Sequence, residues 1–372
     1  MISSACAAML QEIVRQHTFE MSEQGDSSQG VAPNVDHECS DFSRWPHRIA
    51  VTLLVTTWLQ ICAGGLVTTL GAGMAFEDWP TSDGQNMFLY PLFEAAKDKF
   101  IEHGHRLFGA TVGLIAIGLC VVTWRKDSRG WLRWMTVMAL ALVIFQGILG
   151  GLRVRFDDVR IAKIHGCVAP LFLAIVVAIA VCTSRWWQAR NVTHSPASRR
   201  LQRLAVFTAG IAYAQLVLGA QLRHVSPMST GATFKAAIFF HLFLAVILLG
   251  DAMLFWWQSE RHFKGFSSLL RPPRLLLGLL FVQLFLGAGT WVLKYAWPGG
   301  LFAETSGLAG WTNTAGGPLQ VFIVTGHVAV GSLILGTSVW ATLRYYRGAT
   351  QTPRQGVEAD KGGTYSAIGV TV

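Results

Sequence analysis

The sequence predicts an all-α membrane protein, with eight transmembrane helices arranged as two pseudo-symmetric four-helix halves. Three observations predict it. Of the 372 residues, 52% are hydrophobic and only 14% are charged, whereas soluble proteins average about 25% charged residues. Cutting the chain at every Asp, Glu, Lys and Arg leaves seven long apolar runs and an eighth broken only by Asp251, and about 18 or more such residues cross roughly 30 Å of hydrocarbon. Related phrases also recur from helix to helix, the mark of an internal duplication. The short alternating segments of a transmembrane β-barrel are absent from the sequence.

The elements follow in order. Residues 1–45 form a polar tail whose Glu20–Gly30 stretch lacks the layout of a signal peptide; this tail is expected to be disordered and cytoplasmic. The first half, 46–184, holds the runs Ile49–Phe76, Leu107–Trp124, Trp134–Leu152 and Ile164–Ser184. A cytoplasmic connector, 185–200, leads to the second half, 201–345, with the runs Leu204–Leu222, Ala236–Ser259, Leu275–Leu293 and Thr305–Leu343. The last run is long enough to include a loop, Thr305–Pro318, before its helix. A second cytoplasmic tail, 346–372, closes the chain.

A net charge of +9 invites a nucleic-acid partner, but its distribution points elsewhere. Arg125, Lys126, Arg129 and Arg133 share one connection, Arg185 to Arg203 another, and Arg261, Lys264, Arg271 and Arg274 a third, while the alternate connections are poorer except for Arg153, Arg155, Arg160 and Lys163, which Asp157 and Asp158 dilute. Cationic loops stay on the cytoplasmic side of a membrane. Both termini are therefore expected in the cytoplasm of a bacterial-type cell, with the loops after helices one, three, five and seven external. The membrane lipid, not nucleic acid, is the partner that this basicity meets. Six cysteines occur without any CxxC, so neither a disulfide frame nor a zinc site is expected.

Polar residues inside the helices are few and ordered. The odd-numbered helices carry Gln60-Ile-Cys-Ala-Gly64, Gln146-Gly-Ile-Leu-Gly150, Gln215-Leu-Val-Leu-Gly219 and Gln283-Leu-Phe-Leu-Gly287. A glutamine in lipid must face the bundle interior, and the glycine one turn later permits close packing; the glutamines either hold neighbouring helices together or touch a ligand. Each even-numbered helix carries a histidine near its external end: His105, His165, His241 and His327. Four residues on stands Gly109, Ala169, Ala245 or Gly331, one turn along the same face, and such a cleared surface suits a flat macrocycle. Neutral imidazole ligates iron, and two facing histidines hold a six-coordinate haem in an apolar pocket. Zinc fits less well, because no cysteines track the histidines. His103 points about 200° away from His105 on a helix, which suggests a loop or surface group. His17, His37, His47, His194, His224 and His262 fall in tails or loops and take no part, and Asp251 is expected to neutralise a neighbour or reach the inner interface.

The two halves differ at one point. Glu102, His105 and Arg106 share a helix face, whereas Ile238 and Leu242 stand at the matching places in the second half. Glu102 either acts beside a bound macrocycle, as proton acceptor or stabiliser of positive charge, or forms an interfacial ion pair with Arg106. The external loop Gly71–Thr81, rich in glycine and holding Trp79, is either a lid over the first-half site or an interfacial turn.

These residues together resemble the haem A synthase family, which converts haem O to haem A for cytochrome oxidases. The signatures are Gly65-Leu-Val-Thr-Thr-Leu-Gly-Ala-Gly73 followed by Asp78-Trp79-Pro80, Glu102-x-x-His105-Arg106, Gln146 to Gly150 with Gly151-Leu-Arg-Val, and single histidines in helices four, six and eight. The resemblance implies that His241 and His327 ligate a haem b cofactor and that His105 and His165 hold the iron of the haem O substrate. It also implies that Glu102 is the catalytic carboxylate of an oxidoreductase that turns a ring methyl into a formyl group through successive hydroxylations. Arg106, Gln60, Gln146, Gln215 and Gln283 would support these groups. A haem O synthase and cytochrome oxidase assembly factors are the implied partners, with a homo-oligomer also compatible. The cysteine pair that many bacterial relatives carry in the first external loop has no counterpart between Leu66 and Ile101, and the extra His103 suggests a divergent branch. The alternative is a non-catalytic haem protein for electron transfer or haem handling. A small-solute transporter is disfavoured, because its polar groups would lie at the midplane.

Overall fold

The computed structural model describes residues 43–188, 196–224, 230–295 and 317–348. Among the described residues, eight helices are long and apolar enough to cross a membrane: α1 (Trp45–Thr69), α2 (Lys97–Lys126), α3 (Gly130–Phe156), α4 (Val159–Cys182), α5 (Pro196–Arg223), α6 (Gly231–His262), α7 (Ser267–Tyr295) and α8 (Pro318–Gly348). The all-α fold predicted from the apolar runs is the one observed. Large side chains on the outer surface are apolar, with Leu114 68%, Val246 71%, Phe322 72% and Phe285 80% exposed, and such faces suit hydrocarbon rather than water. The chain is an integral membrane protein.

Local chemistry explains the helix starts. Pro46 and Pro318 sit in the first turns of α1 and α8, where a missing N–H has no partner to lose. Asp158 caps α4 by accepting from Arg160 N at 2.6 Å, and Thr230 caps α6 by accepting from Thr233 N at 3.2 Å. The helices overrun the uncharged runs. α5 begins at Pro196, inside the stretch 185–200 read as a connector, and a single helical turn, Arg185–Gln188, occupies the start of that stretch. α8 passes Arg344 and Arg347. Charge does not end the helix there: the Arg344 guanidinium lies over the Trp186 ring and Arg347 Nε donates to Trp187 O at 2.9 Å while the backbone stays helical. The tails expected to be disordered and the loop Thr305–Pro318 lie largely outside the described residues.

Two apolar cores form. Ala50, Leu53, Leu119, Leu132 and Val176 build one from α1–α4, and Leu201, Phe255, Leu276 and Tyr345 build the other from α5–α8. Between them, Val177 and Val181 of α4 meet Leu343 of α8. Close backbone approach holds this seam: Trp58 Nε1 donates to Ala329 O at 3.2 Å, and a Cβ on Gly65 would stand 3.1 Å from Thr325 Cγ2. Lipid offers no hydrophobic push between helices, so small residues and polar contacts carry the association.

Three polar residues sit otherwise than the sequence suggested. His47 belongs to the first turn of α1, not to a tail, and its Nδ1 lies 3.0 Å from Ala180 O and 3.3 Å from Thr183 Oγ1 on α4. His262 is the last residue of α6, its Nδ1 2.8 Å from Gln258 O. Asp251 is buried and accepts a hydrogen bond from the Thr208 hydroxyl. No cation pairs with it among the described residues, because α5 presents a hydroxyl at that depth.

Phe255 is fully buried with its ring 5.0 Å from that of Tyr345. Phe255→Ala should therefore destabilise the second core by about 3–5 kcal/mol. In detergent, its heat-denaturation midpoint should fall well below wild type, whereas that of Phe285→Ala on the lipid-facing surface should not.

Candidate functional site

The four histidines are seated alike, each against the odd-numbered helix that precedes its own. Gln60 Nε2 donates to His105 O at 2.9 Å, Gln146 Nε2 to His165 O at 2.8 Å, and Gln215 Nε2 to His241 O at 2.9 Å. Gln283 Nε2 stands 3.5 Å from His327 Nε2. One turn beyond each glutamine, its glycine receives the imidazole: a Cβ on Gly64, Gly150, Gly219 or Gly287 would stand 3.0, 3.2, 3.4 or 3.1 Å from Cε1 of His105, His165, His241 or His327. The glutamines thus hold helices together, and all four also line the cavity described next. The residues four positions after the histidines have a double use. All four line the cavity described next, but at Gly109 and Gly331 the cleared space also admits the glutamine amide, whose Nε2 a Cβ would meet at 3.1 and 3.3 Å.

Both histidine pairs open on one cavity of about 1150 Å³, larger than the roughly 300–1,000 Å³ of a small-ligand cleft. The rings of His241 and His327 are 6.4 Å apart between centroids, with planes inclined by 64°. Nδ1 of all four histidines and Oε1 of all four glutamines are buried without a hydrogen-bond partner, so each seat retains polar capacity that the protein does not use. Ile238 and Leu242 also line the cavity, which keeps the second-half wall apolar where the first half has Glu102 and Arg106. No group of three or more His, Cys, Asp or Glu able to hold a metal ion occurs among the described residues, and the four described cysteines are free.

Glu102 is buried, and both of its oxygens are engaged. Oε1 accepts from Arg106 Nη2 at 2.7 Å, and Oε2 accepts from the backbone N–H of Ala75 at 2.8 Å and of Phe76 at 3.3 Å. Arg106 Nη1 in turn donates to Asp78 O and Thr81 O, each at 3.0 Å. The ion pair allowed by the sequence is present, and it fastens the loop after α1 over the cavity. Arg153 Nη2 adds a bond to Gly73 O at 2.7 Å. Trp79, Gly73 and Met87 line the cavity, so the loop is a cover rather than an interfacial turn. Gly151 makes this possible, since a Cβ there would stand 2.2 Å from the Trp79 ring.

His103 corrects the sequence-based expectation of a surface group. It does point away from His105, but the loop folds back over that face and buries it completely. Its Nδ1 is 3.1 Å from Ser82 Oγ, and its ring lies 4.9 Å from that of Tyr90 and 5.7 Å from that of Phe76. Helical periodicity locates a face, not what a distant loop lays on it.

Four cationic or titratable residues at the cavity were missed in the sequence: Arg153, Arg223, His224 and Lys294. Arg223 Nη2 donates to Gly65 O at 2.7 Å and to Thr69 Oγ1 at 3.1 Å, which ties α5 to α1. His224, assigned to a loop without a role, follows α5 directly and faces Gly166 of α4. Burial first, and then the charges of Arg223, Arg153 and Lys294 around it, push His224 down to about 4. The only available signal was position, since both arginines stand in the last turn of an odd helix, level with the histidines.

The chain is similar to known proteins over much of its length. A family model described as cytochrome oxidase assembly protein matches residues 90–235, which contain His105 and His165. The chain is 27% identical to a heme A synthase of Shouchella clausii over 252 residues, covering 66% of this chain and 76% of that protein. It is 28% identical to a heme A synthase of Alkalihalophilus pseudofirmus over 228 residues, covering 55% and 74%. A heme A synthase of a Chelativorans strain is 33% identical over 161 residues, 41% of this chain and 43% of that protein. The resemblance to the haem A synthase family read from the sequence is borne out.

Gly151→Ala should displace Trp79 and loosen the cover. Limited proteolysis should then cut residues 71–90 several-fold faster than in wild type, while Gly118→Ala, where a Cβ meets nothing within 4 Å, should leave the rate unchanged.

Proposed function

From this likeness to haem A synthases, we propose that the protein is an oxidoreductase of haem A biosynthesis that serves cytochrome oxidase assembly. It oxidises a ring methyl of haem O to a formyl group, a four-electron change in which water supplies the oxygen and an electron acceptor outside the chain takes the electrons. The observation that carries this reading is the fourfold seat of histidine, glutamine and glycine around one cavity, with the ionisable pair Glu102–Arg106 in the first half alone. His241 and His327 would hold a haem b cofactor, and His105 and His165 would hold the substrate haem O. The residues fit such groups. Two imidazoles that would hold one metal ion through bonds of about 2 Å need ring centres about 6 Å apart, close to the 6.4 Å between His241 and His327. Four imidazoles that open on one cavity, each seated on a glycine and tied to its neighbouring helix by a glutamine, suit two flat groups held between helices.

Haem b, when bound, supplies one-electron redox capacity, as is general for haem. The chain's own residues do the rest. The glutamine contacts set the histidines along their helices, and Trp79 with the loop after α1 keeps water from the first-half site. Glu102 is the catalytic carboxylate, a fixed anion in the cavity wall that stabilises positive charge on the substrate or accepts a proton from it. Arg106 and two backbone N–H groups hold it in place. With the basic connections in the cytoplasm, both termini lie there and the haem sites lie toward the external side. A haem O synthase delivers the substrate, and the duplication divides the chain into a substrate half, 46–184, and a cofactor half, 201–345.

Removing one partner of a buried ion pair costs about 3–5 kcal/mol, so an isosteric change suits Glu102 best. Glu102→Gln should keep bound haem yet lose haem A formation, whereas His241→Ala or His327→Ala should lose the low-spin haem b spectrum. The measurement is extraction of haems from the membrane-expressed chain and their identification by mass. Haem b with haem O or haem A supports the synthase; haem b alone supports the non-catalytic alternative; no haem defeats both.

A further inference from the structure

We propose that Arg153 and Arg223 are carboxylate anchors that grip the anionic arms of the two macrocycles and so set how each ring is turned in its own plane. The inference rests on the proposed haem-binding function and adds a binding subsite to it. Two axial histidines fix a ring's plane but not its rotation, because both lie on the axis about which it turns. Oxidising one particular methyl group requires a single rotation, so an off-axis contact is needed. Haem offers one, since its two carboxylate arms stand together on one edge.

The chain supplies the complement. Glu102 is the one acidic residue that lines the cavity among the described residues, and Arg106 already neutralises it. Arg153 and Arg223 line the same cavity and have no carboxylate partner among the described residues. Cations in a low-dielectric wall are costly until an anion meets them. Each guanidinium is pinned through Nη2 alone, Arg153 to Gly73 O, and Arg223 to Gly65 O and Thr69 Oγ1. Among the described residues their Nε–H and Nη1–H groups form no other bond and are not sealed buried atoms, so an edge of each fork remains for a carboxylate, which arginine binds in bidentate fashion. Arginines that served only the membrane boundary would turn their heads outward; these two turn inward. Arg153 lies within electrostatic reach of His105, His165 and Glu102, and Arg223 within reach of His327, so both stand close to the imidazoles.

The test uses full-length protein in detergent, freed of haem and titrated with iron protoporphyrin IX or its dimethyl ester, with the low-spin absorption spectrum as readout. Wild type should bind the free acid roughly 10- to 100-fold more tightly than the ester. Arg153→Gln and Arg223→Gln should weaken the free acid by a similar factor and leave the ester unchanged, and Arg→Lys should restore part of the loss. Equal binding of acid and ester by wild type, with a normal low-spin spectrum, would overturn the anchors and leave the histidine assignment standing. Variants that lose the ester as well would assign the arginines to the fold and overturn the proposal. Absence of any low-spin spectrum in wild type would overturn both the anchors and the histidine sites.

Discussion

A glutamine inside a membrane must find a hydrogen-bond partner in its own protein, because each unsatisfied polar group in hydrocarbon costs several kcal/mol. In this bundle Gln60, Gln146 and Gln215 find the backbone carbonyl of a cavity-lining histidine. That oxygen has a second lone pair to offer even while it serves its own helix. The contact sets the register of two helices, and the glycine one turn further on then meets the imidazole ring. Depth and orientation of the histidines, the walls of the cavity and the pairing of neighbouring helices all depend on it.

Charge is distributed by the same logic. The apolar interior tolerates Glu102 because three donors meet its two oxygens, and this satisfaction draws the loop after α1 over the cavity. The arginines at the same level are only partly satisfied, each through one nitrogen. One end of the bundle thus combines a compensated anion, incompletely used cations and four imidazoles, while the two cores away from it are mostly apolar, with Asp251 satisfied by the Thr208 hydroxyl.

Much of this was legible in the chain. Eight apolar runs foretold eight helices, since crossing hydrocarbon is a matter of length and composition. The QxxxG phrases and the single histidines of the even helices stood out because polar residues are rare in such a background. Other features were not legible. Cutting the chain at charges shortened α5 and α8, since arginine stems let a helix continue into the interface. His103 read as a surface group because nothing local to it announces that Ser82 and Tyr90 return to cover it. Gly109 and Gly331 read as clearance for a macrocycle, although each also clears space for the glutamine of the preceding helix.

By itself the sequence determined the medium, the number of helices, and which residue types stand on their inner faces, because these follow from hydropathy and helical periodicity along one segment. Only the tertiary structure decided that both histidine pairs share one cavity, that Glu102 clasps the covering loop, and that Arg153 and Arg223 turn inward beside the histidines. Those facts rest on contacts between residues far apart in the chain, and these are set by how the helices pack rather than by any local pattern.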